Sequence, residues 1–146
     1  MANKVTVYSA ANTILNFAGH VLEGLAEGDD VIKVERLAPG NTIVVGIQGD
    51  GVINQTTDKS ARITVKLLKG SDSNKFLSDK YNAGEIGFIT SAPFIITEVG
   101  NDGKVTAKKT IIEKMPDLTR GSSAAPIEWT FISFDCAVSH SGSESI

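Results

Sequence analysis

Strict alternation of apolar and polar residues constrains the fold of this chain more than any other feature. In Ala61–Leu67 every second residue is apolar, and the residues between them are charged or polar. Successive side chains of a β-strand point to opposite faces, so this pattern predicts a strand with one buried and one solvated face. The same period recurs in residues 1–9 and 31–37.

Apolar and β-branched residues indicate further strands along the chain. The candidate segments are residues 14–17, 20–25, 42–48, 51–56, 86–91, 94–99, 104–114 and 129–138. Between two of them, Asn101-Asp102-Gly103 has the composition of a tight hairpin turn. In the last segment one face is predicted to be nearly all core. The members of that face are Thr130, Ile132, Phe134, Cys136 and Val138.

One segment departs from the strand period. Around residues 73–82 the apolar side chains recur at three-to-four spacing, which predicts a short amphipathic helix. Ser71 or Ser73 can cap its N-terminus, and Gly84 can end it. Many strands with one helix predict a mainly β fold, namely a rolled antiparallel β-sandwich or barrel with one flanking α-helix.

Composition excludes several classes of protein. The chain has 146 residues, of which 41% are hydrophobic and 21% charged, and these proportions fit one globular domain rather than a disordered chain. A net charge of −3 argues against a dedicated nucleic-acid binder. No apolar run approaches the ~20 residues that span a bilayer. The first residues do not have the pattern of a secretory signal peptide, so none is expected.

The residues that catalysis and metal binding require are sparse. Cys136 is the single cysteine, and it is predicted to be a small buried hydrophobe rather than a nucleophile. His20 and His140 are the two histidines, and they are too far apart to give a recognisable metal-ligand spacing. The glycine-rich residues 46–51 lack the spacing and the following helix of a dinucleotide site. We therefore expect no catalytic residue, no metal site and no cofactor.

Several motifs, taken in order, resemble a known family. They are GHVLEGLAEGDDVIKVER at residues 19–36, GIQGDG at 46–51, KSARITVKL at 59–67, SDSN at 71–74, IIEKMPD at 111–117 and EWTF at 128–131. The ordered set looks like the tail tube proteins of contractile-tailed bacteriophages and of related phage-tail-like particles. The resemblance extends over residues 3–139, which is nearly the whole chain.

This resemblance implies a structural virion protein and not an enzyme. It implies a single tail-tube domain over residues 1–139, followed by a polar tail at 140–146. Copies would form hexameric rings that stack into a hollow tube inside a contractile sheath, with phage DNA passing through at ejection without specific binding. The implied partners are further copies of the chain, the tail sheath protein, and the baseplate and tail terminator proteins. The implied location is the virion tail, assembled in the host bacterial cytoplasm, with no membrane anchor.

Residues 38–57 are predicted to form a protruding hairpin. They are rich in glycine and apolar residues, and Asp50 is their only acidic residue. An isolated hairpin of this kind exposes an apolar patch, so we expect it to stack on the adjacent ring. The alternative is a hairpin folded onto its own core. The expected inter-ring residues are Asn41, Thr42, Ile43, Val44, Val45, Gly46, Ile47, Gln48, Gly49, Asp50, Gly51, Val52 and Ile53.

The helix is expected to lie on the outer wall of the tube, where a sheath could touch it. The residues expected to pack on the sheet are Phe76, Leu77 and Tyr81, and those expected on the outer wall are Lys75, Asp79 and Lys80. The alternative is a surface helix without a partner.

The lumen of the tube is expected to be neutral or acidic. Basic residues there would bind phosphates and slow the passage of DNA, whereas acidic residues repel them. The candidate residues for an acidic lumen or surface are Glu23, Glu27 and Asp135.

Two other functions stay open from the sequence. The tube of a phage-like bacteriocin or secretion particle would share the fold without carrying DNA, and the sequence does not separate it from a phage tube. A monomeric β-sandwich binding module, for example for carbohydrate, would expose aromatic rings along a groove. Trp129 and most phenylalanines lie within strand patterns, which disfavours that second alternative.

Overall fold

The computed structural model describes residues 13–26, 31–85, 91–98, 103–121, 123 and 125–140. Its elements are β1 (Thr13–Phe17), β2 (His20–Leu22), β3 (Ile32–Arg36), β4 (Asn41–Val45), β5 (Gly51–Gln55), β6 (Ala61–Leu67), α1 (Ser73–Glu85), β7 (Ala92–Glu98), β8 (Lys104–Lys114) and β9 (Ile127–Ser139). The mainly β fold with one helix that the sequence predicts is confirmed. Five predicted features lie outside the described residues wholly or in large part: the strands at 1–9 and 86–91, Glu27, the turn at 101–103 and the tail at 140–146.

The large sheet is antiparallel and rolled. Its seven strands run in the order β2-β1-β7-β8-β9-β6-β3, and all neighbours pair antiparallel. After β2, which is at one end of the strand order, the chain reaches the strands at the other end of that order, where Leu25 bridges Leu67 at the end of β6. The Ala26 amide also donates to the Lys66 carbonyl, with an N···O distance of 3.0 Å. Because β2 is one edge strand and β6 lies next to the other, the sheet curls towards closure.

Aromatic rings fill the concave side of this sheet. Phe17 of β1, Phe94 of β7 and Phe131 of β9 contact one another, with ring centroids 5.5, 5.0 and 4.9 Å apart. Strand β8 separates β7 from β9, so contact between their rings reflects the curvature of the sheet. The three residues are at most 1% exposed, and burying each one stabilises the fold by about 1.5–3 kcal/mol.

The predicted core face of β9 is wrong in the first part of the strand. The residues buried there are Trp129, Phe131 and Ser133, which alternation had placed on the opposite face. Thr130 and Ile132 are half-buried, and Phe134 is 72% exposed. Cys136 is fully buried, as predicted. The buried face of β9 therefore moves by one residue between Ser133 and Cys136.

An irregularity in β8 explains this change of phase. Lys109 has a φ of 51°, in the left-handed region that lysine rarely adopts. It lies between the pairs Lys108–Asp135 and Thr110–Ser133, and both Lys108 and Lys109 are exposed. The Ser133 hydroxyl donates to the Lys108 carbonyl at 2.8 Å, which fixes the two strands at this point. The alternation of buried and exposed residues therefore shifts by one residue in β8 and in β9 at the same position along the pair.

Strands β4 and β5 form a separate two-stranded sheet that continues the β3–β6 ladder. That ladder ends at the pair Arg36 and Ala61. Beyond it, the Thr56 amide donates to the Gly40 carbonyl at 3.0 Å, directly before the β4–β5 pairing begins. The hairpin is therefore an extension of the edge of the large sheet, and every residue of both strands is exposed.

The helix α1 packs against strands β2 and β9 of the rolled sheet. Leu77 is fully buried in the core, and the ring of Phe76 stacks on His20 with centroids 4.2 Å apart. The Trp129 indole N–H donates to the Asn74 side-chain oxygen at 2.9 Å. The helix begins at residue 73 as predicted and ends at residue 85 rather than at about 82. No helix among the described residues is long and apolar enough to cross a membrane.

Candidate assembly surfaces

The β4–β5 hairpin carries apolar side chains on both of its faces. Ile43 lies opposite Ile53, and Val44 lies opposite Val52. Since successive side chains alternate, the two isoleucines share one face and the two valines share the other. These four residues are 69%, 71%, 59% and 60% exposed, respectively. The described part of the subunit therefore covers neither face, and the hairpin is not folded onto its own core.

The turn of the hairpin has a defined shape. The Gly46 amide donates to the Asp50 carbonyl at 2.7 Å, and the Gly49 amide donates to the Gly46 carbonyl at 3.1 Å. Gly49 has a φ of 93°, a conformation that residues with a side chain rarely adopt. Within this turn Ile47 is fully exposed. The ribbon thus ends in a shaped tip that carries an apolar side chain.

The energetics of the hairpin favour a partner. Its large exposed apolar residues are Ile43, Val44, Val45, Ile47, Val52 and Ile53. Burying six such side chains would yield a gross gain on the order of 10 kcal/mol. Association costs a comparable amount, about 4–15 kcal/mol, so this surface can sustain a contact once other contacts share that cost. Asp50 is the only charged residue in the segment and imposes little desolvation.

The helix presents a polar face to solvent. Lys75 and Asp79 form an ion pair one turn apart, with an N···O distance of 3.3 Å, and their side chains are 84% and 65% exposed. Lys80 and Tyr81 are half-buried. An exposed pair of this spacing contributes only about 0.3–0.5 kcal/mol. The exposed side of α1 is therefore built for solvent or for a polar partner.

The candidate acidic residues do not form one patch. The Glu23 amide donates to the Ser73 hydroxyl at 3.0 Å. Glu23 also lies two residues before Leu25, which bridges Leu67 at the end of β6. Asp135 instead bridges Lys59, which precedes the first residue of β6. Glu23 and Asp135 therefore lie at opposite ends of the large sheet, and Glu27 lies outside the described residues.

Within the part of the chain that the structure describes, three groups have shifted pKa values, and none of these shifts creates a reactive group. Burial raises the pKa of the Cys136 thiol, which keeps it protonated and unreactive. Hydrogen bonds from Ser60 lower the pKa of Asp58. A hydrogen bond to Glu113 raises the pKa of Arg62. No group of three or more His, Cys, Asp or Glu among the described residues could hold a metal ion.

Sequence reasoning missed two strongly exposed apolar residues, Phe134 and Leu118. Leu118 is 82% exposed in the connection between β8 and β9. The sequence does indicate that Leu118 lies in a loop, because its segment lacks alternation and lies between Pro116 and Pro126. The exposure of Phe134 depends on the positive φ of Lys109, for which the sequence carries no signal.

Solved structures share this fold at low sequence identity. The sheath/tube terminator of the extracellular contractile injection system PVC, in the extended state, matches with a TM-score of 0.63 and 9% identity over 93% of this chain and 99% of that chain. The tube-terminating cap of the anti-feeding prophage AFP matches with a TM-score of 0.61 and 10% identity over 97% and 95%. The extended PVC sheath–tube complex matches with a TM-score of 0.58 and 11% identity over 90% and 90%.

The sequence comparison identifies the family. No curated protein sequence matches the chain significantly. The family model described as "Bacteriophage PhiTE tail tube protein" matches residues 7–139, which is most of the chain. The large rolled sheet, the single helix and the exposed hairpin all fall within the matched residues. The chain therefore belongs to the bacteriophage PhiTE tail tube protein family.

Proposed function

We propose that copies of this chain form hexameric rings that stack into the inner tube of a contractile phage tail. As a member of a tail tube family, the chain is a structural component of a phage or phage-like tail and not an enzyme. The observation that carries the proposal is the β4–β5 hairpin, which projects from the sheet with both faces apolar and uncovered. A copy in the next ring supplies the missing cover. A head-to-tail contact of this kind does not close, so it repeats into a tube.

Contacts within each ring are proposed to use the edges of the large sheet. Among the residues that the structure describes, strands β2 and β3 are the two edges of this sheet. An exposed edge presents unpaired N–H and C=O groups, and closing a ring of subunits removes that liability. In this arrangement residues 1–139 form one tail-tube domain with the hairpin at 38–57, and residues 140–146 form a polar tail.

The remaining partners follow from the position of the chain inside a contractile tail. The polar face of α1, with Lys75, Asp79 and Lys80, is proposed to lie on the outer wall, where the sheath protein contacts it. The baseplate and tail terminator proteins are proposed to contact the first and last rings. The tube would be assembled in the host bacterial cytoplasm.

Phage DNA is proposed to pass through the tube without specific binding. The net charge of −3 supports a wall that does not hold phosphates. Glu23, Glu27 and Asp135 remain candidates for the lumen or for the surface. Passage without binding predicts that purified tubes do not retain DNA fragments at physiological salt.

Deletion of residues 41–54 tests the stacking function. The Gly40 carbonyl and the Thr56 amide are hydrogen-bonded at 3.0 Å, so the cut ends lie side by side and can be joined without moving the core. We expect a folded subunit with an unchanged melting temperature that forms no tubes in negative-stain electron microscopy. Normal tubes from the deletion variant would overturn the proposal.

A milder pair of variants separates the apolar surface from the length of the hairpin. Ile43→Thr combined with Ile53→Thr keeps β-branched residues in both strands but removes the apolar pair from one face. We expect shorter or fewer tubes at the same protein concentration. Lys75→Ala on the exposed side of α1 is the matched control, and we expect it to form tubes as the wild type does.

A second candidate function is the tube of a phage-like bacteriocin or secretion particle that carries no DNA. The likeness of the fold to the PVC and AFP structures favours it. Purified particles that contain this chain distinguish the two functions. Attached heads filled with DNA identify a phage tail, whereas headless particles without nucleic acid identify the second candidate.

A further inference from the structure

Of the described residues outside the ladders, the two most exposed large apolar ones lie at opposite ends of the subunit. Ile47 at the hairpin tip is fully exposed, and Leu118 is 82% exposed. The hairpin leaves the sheet next to Ala61, where β6 begins. Leu118 shares a groove with Ile127, which pairs with Leu67 at the other end of β6. Since β6 has seven residues, its ends are about 20 Å apart.

The groove beside the end of β6 has a volume of about 320 Å³ and is lined by both apolar and charged residues. Its apolar lining residues are Met115, Pro116, Leu118, Pro126 and Ile127. Met115 and Ile127 also pack against the hydrophobic core, so this part of the lining is held by the fold. The charged lining residues are Lys69, Lys114, Asp117 and Glu128. Lys69 donates to the Thr119 carbonyl and is half-buried, which leaves Lys114 as the more exposed cation of the groove.

We propose that the hairpin tip of one copy binds this groove on the next copy, with Ile47 against Leu118 and the Asp50 carboxylate beside Lys114. This inference rests on the proposed stacking function and adds the acceptor site to it. One contact covers two apolar surfaces that the isolated subunit leaves exposed. Asp50 is the only charge that the hairpin brings, and Lys114 supplies the opposite sign.

The positions of the two surfaces favour a second copy of the chain as the occupant. A repeating head-to-tail contact requires a donor at one end of the subunit and its acceptor at the other. Phe134 is also strongly exposed, but it follows Ser133, which pairs with Ala61. Phe134 therefore lies at the same end as the hairpin and cannot be its acceptor in this arrangement.

Cysteine cross-linking tests the contact directly. A full-length variant with Ile47→Cys and Leu118→Cys is assembled, oxidised mildly and run on a non-reducing gel. A disulfide needs Cα atoms within about 7 Å, so only a true contact links neighbouring copies. The native Cys136 is fully buried and does not compete. We expect a ladder of dimers, trimers and longer products, and only monomer from the matched control Ile47→Cys with Lys75→Cys.

A charge exchange provides a second test that does not need a disulfide. Asp50→Lys and Lys114→Glu should each slow tube elongation at least tenfold, and the double variant should recover to within about threefold of the wild type. Lys75→Glu makes the same charge change on α1, outside the proposed contact between tube subunits, and should elongate as the wild type does when no sheath protein is present. If the double variant is as slow as the singles, the proposed pairing is wrong.

The outcomes separate the acceptor site from the stacking function. Suppose that tube formation requires residues 41–54, but that the cysteine pair at 47 and 118 gives no ladder and the double charge variant does not recover. That result overturns the groove as the acceptor and leaves the stacking function intact. If the variant that lacks residues 41–54 forms tubes as well as the wild type does, both the groove and the stacking function are overturned. A ladder together with recovery in the double charge variant supports both.

Discussion

Replacing Asn74 by alanine should destabilise the subunit by about 2–4 kcal/mol. The Asn74 side chain accepts a hydrogen bond from the Trp129 indole N–H at 2.9 Å. It also donates to the Leu68 carbonyl at 2.9 Å and to the Lys69 carbonyl at 3.4 Å. One amide group therefore joins the start of α1 to β9 and to the turn after β6. Alanine removes all three hydrogen bonds at once.

The magnitude follows from what each group can do without Asn74. Trp129 is 1% exposed, so its N–H cannot turn to water, and an unsatisfied buried donor costs about 1–3 kcal/mol. Leu68 is half exposed, and its carbonyl can be hydrated, so the loss there is limited to roughly 0.5–1.5 kcal/mol. A domain of this size has about 5–15 kcal/mol of stability in all. The melting temperature should fall by about 6–12 °C.

The assay uses Trp129 itself, which is the only tryptophan of the chain. Urea denaturation followed by tryptophan fluorescence should show a lower midpoint with an unchanged slope. Ser78→Ala is the control, because the Ser78 hydroxyl donates to the Asn74 carbonyl at 2.8 Å within the same helix. Its loss leaves no buried group unsatisfied, and we expect a change below about 0.5 kcal/mol.

A double-mutant cycle isolates the indole hydrogen bond. Trp129→Phe removes the donor, so Asn74→Ala should cost less in that background than in the wild type. Circular dichroism replaces fluorescence for these variants. A free energy of unfolding for Asn74→Ala within about 0.5 kcal/mol of the wild-type value would contradict this role of Asn74, and so would an equal loss of stability when position 129 is phenylalanine.

Three further variants test the packing. Phe131→Ala should cost about 3–5 kcal/mol by urea denaturation, because it opens a cavity in the aromatic cluster, and a loss below 1 kcal/mol would contradict that packing. Gly24→Ala should destabilise by more than about 1 kcal/mol, because Gly24 has a φ of 78° and an added Cβ would lie 2.8 Å from the Ser71 Cβ, whereas Gly121→Ala in open space should change little. Burial raises the pKa of the Cys136 thiol above its ordinary value of 9.0. Above pH 9.0 the unfolded chain therefore releases this proton while the folded chain keeps it, which favours the unfolded state. The stability advantage of the wild type over Cys136→Ala should therefore shrink as pH rises through that value, and a constant difference would show that burial does not shift this thiol.

Local patterns predicted the elements of this fold well because the strands obey their period. In Ala61–Leu67 every second residue is buried, as alternation requires. The strand order and the rolling of the sheet depend on contacts between distant segments, such as the bridge between Leu25 and Leu67, which no local pattern contains. The face of β9 was misassigned for a similar reason. One positive φ at Lys109, in a neighbouring strand, reverses which side of β9 meets the core.

The same distinction applies to the two assembly surfaces. The hairpin is contiguous in sequence, so its apolar composition and its single charge, Asp50, could be recognised directly. The groove combines Lys69 after β6, Leu118 after β8 and Ile127 at the start of β9. These residues are brought together by the pairing of β6 with β9, and sequence spacing does not indicate that they share a surface. A donor surface on one hairpin is therefore easier to predict than its acceptor.

The hairpin also separates assembly from stability. None of its residues belongs to the hydrophobic core, whereas Trp129, Phe131 and Leu77 do. A change in the core alters the free energy of unfolding first, and it affects tubes only through the loss of folded subunits. A change such as Ile43→Thr removes no buried contact within the subunit, so its effect should be confined to tube formation. Loss of tubes at constant unfolding free energy therefore identifies an assembly residue, and parallel loss of both identifies a core residue.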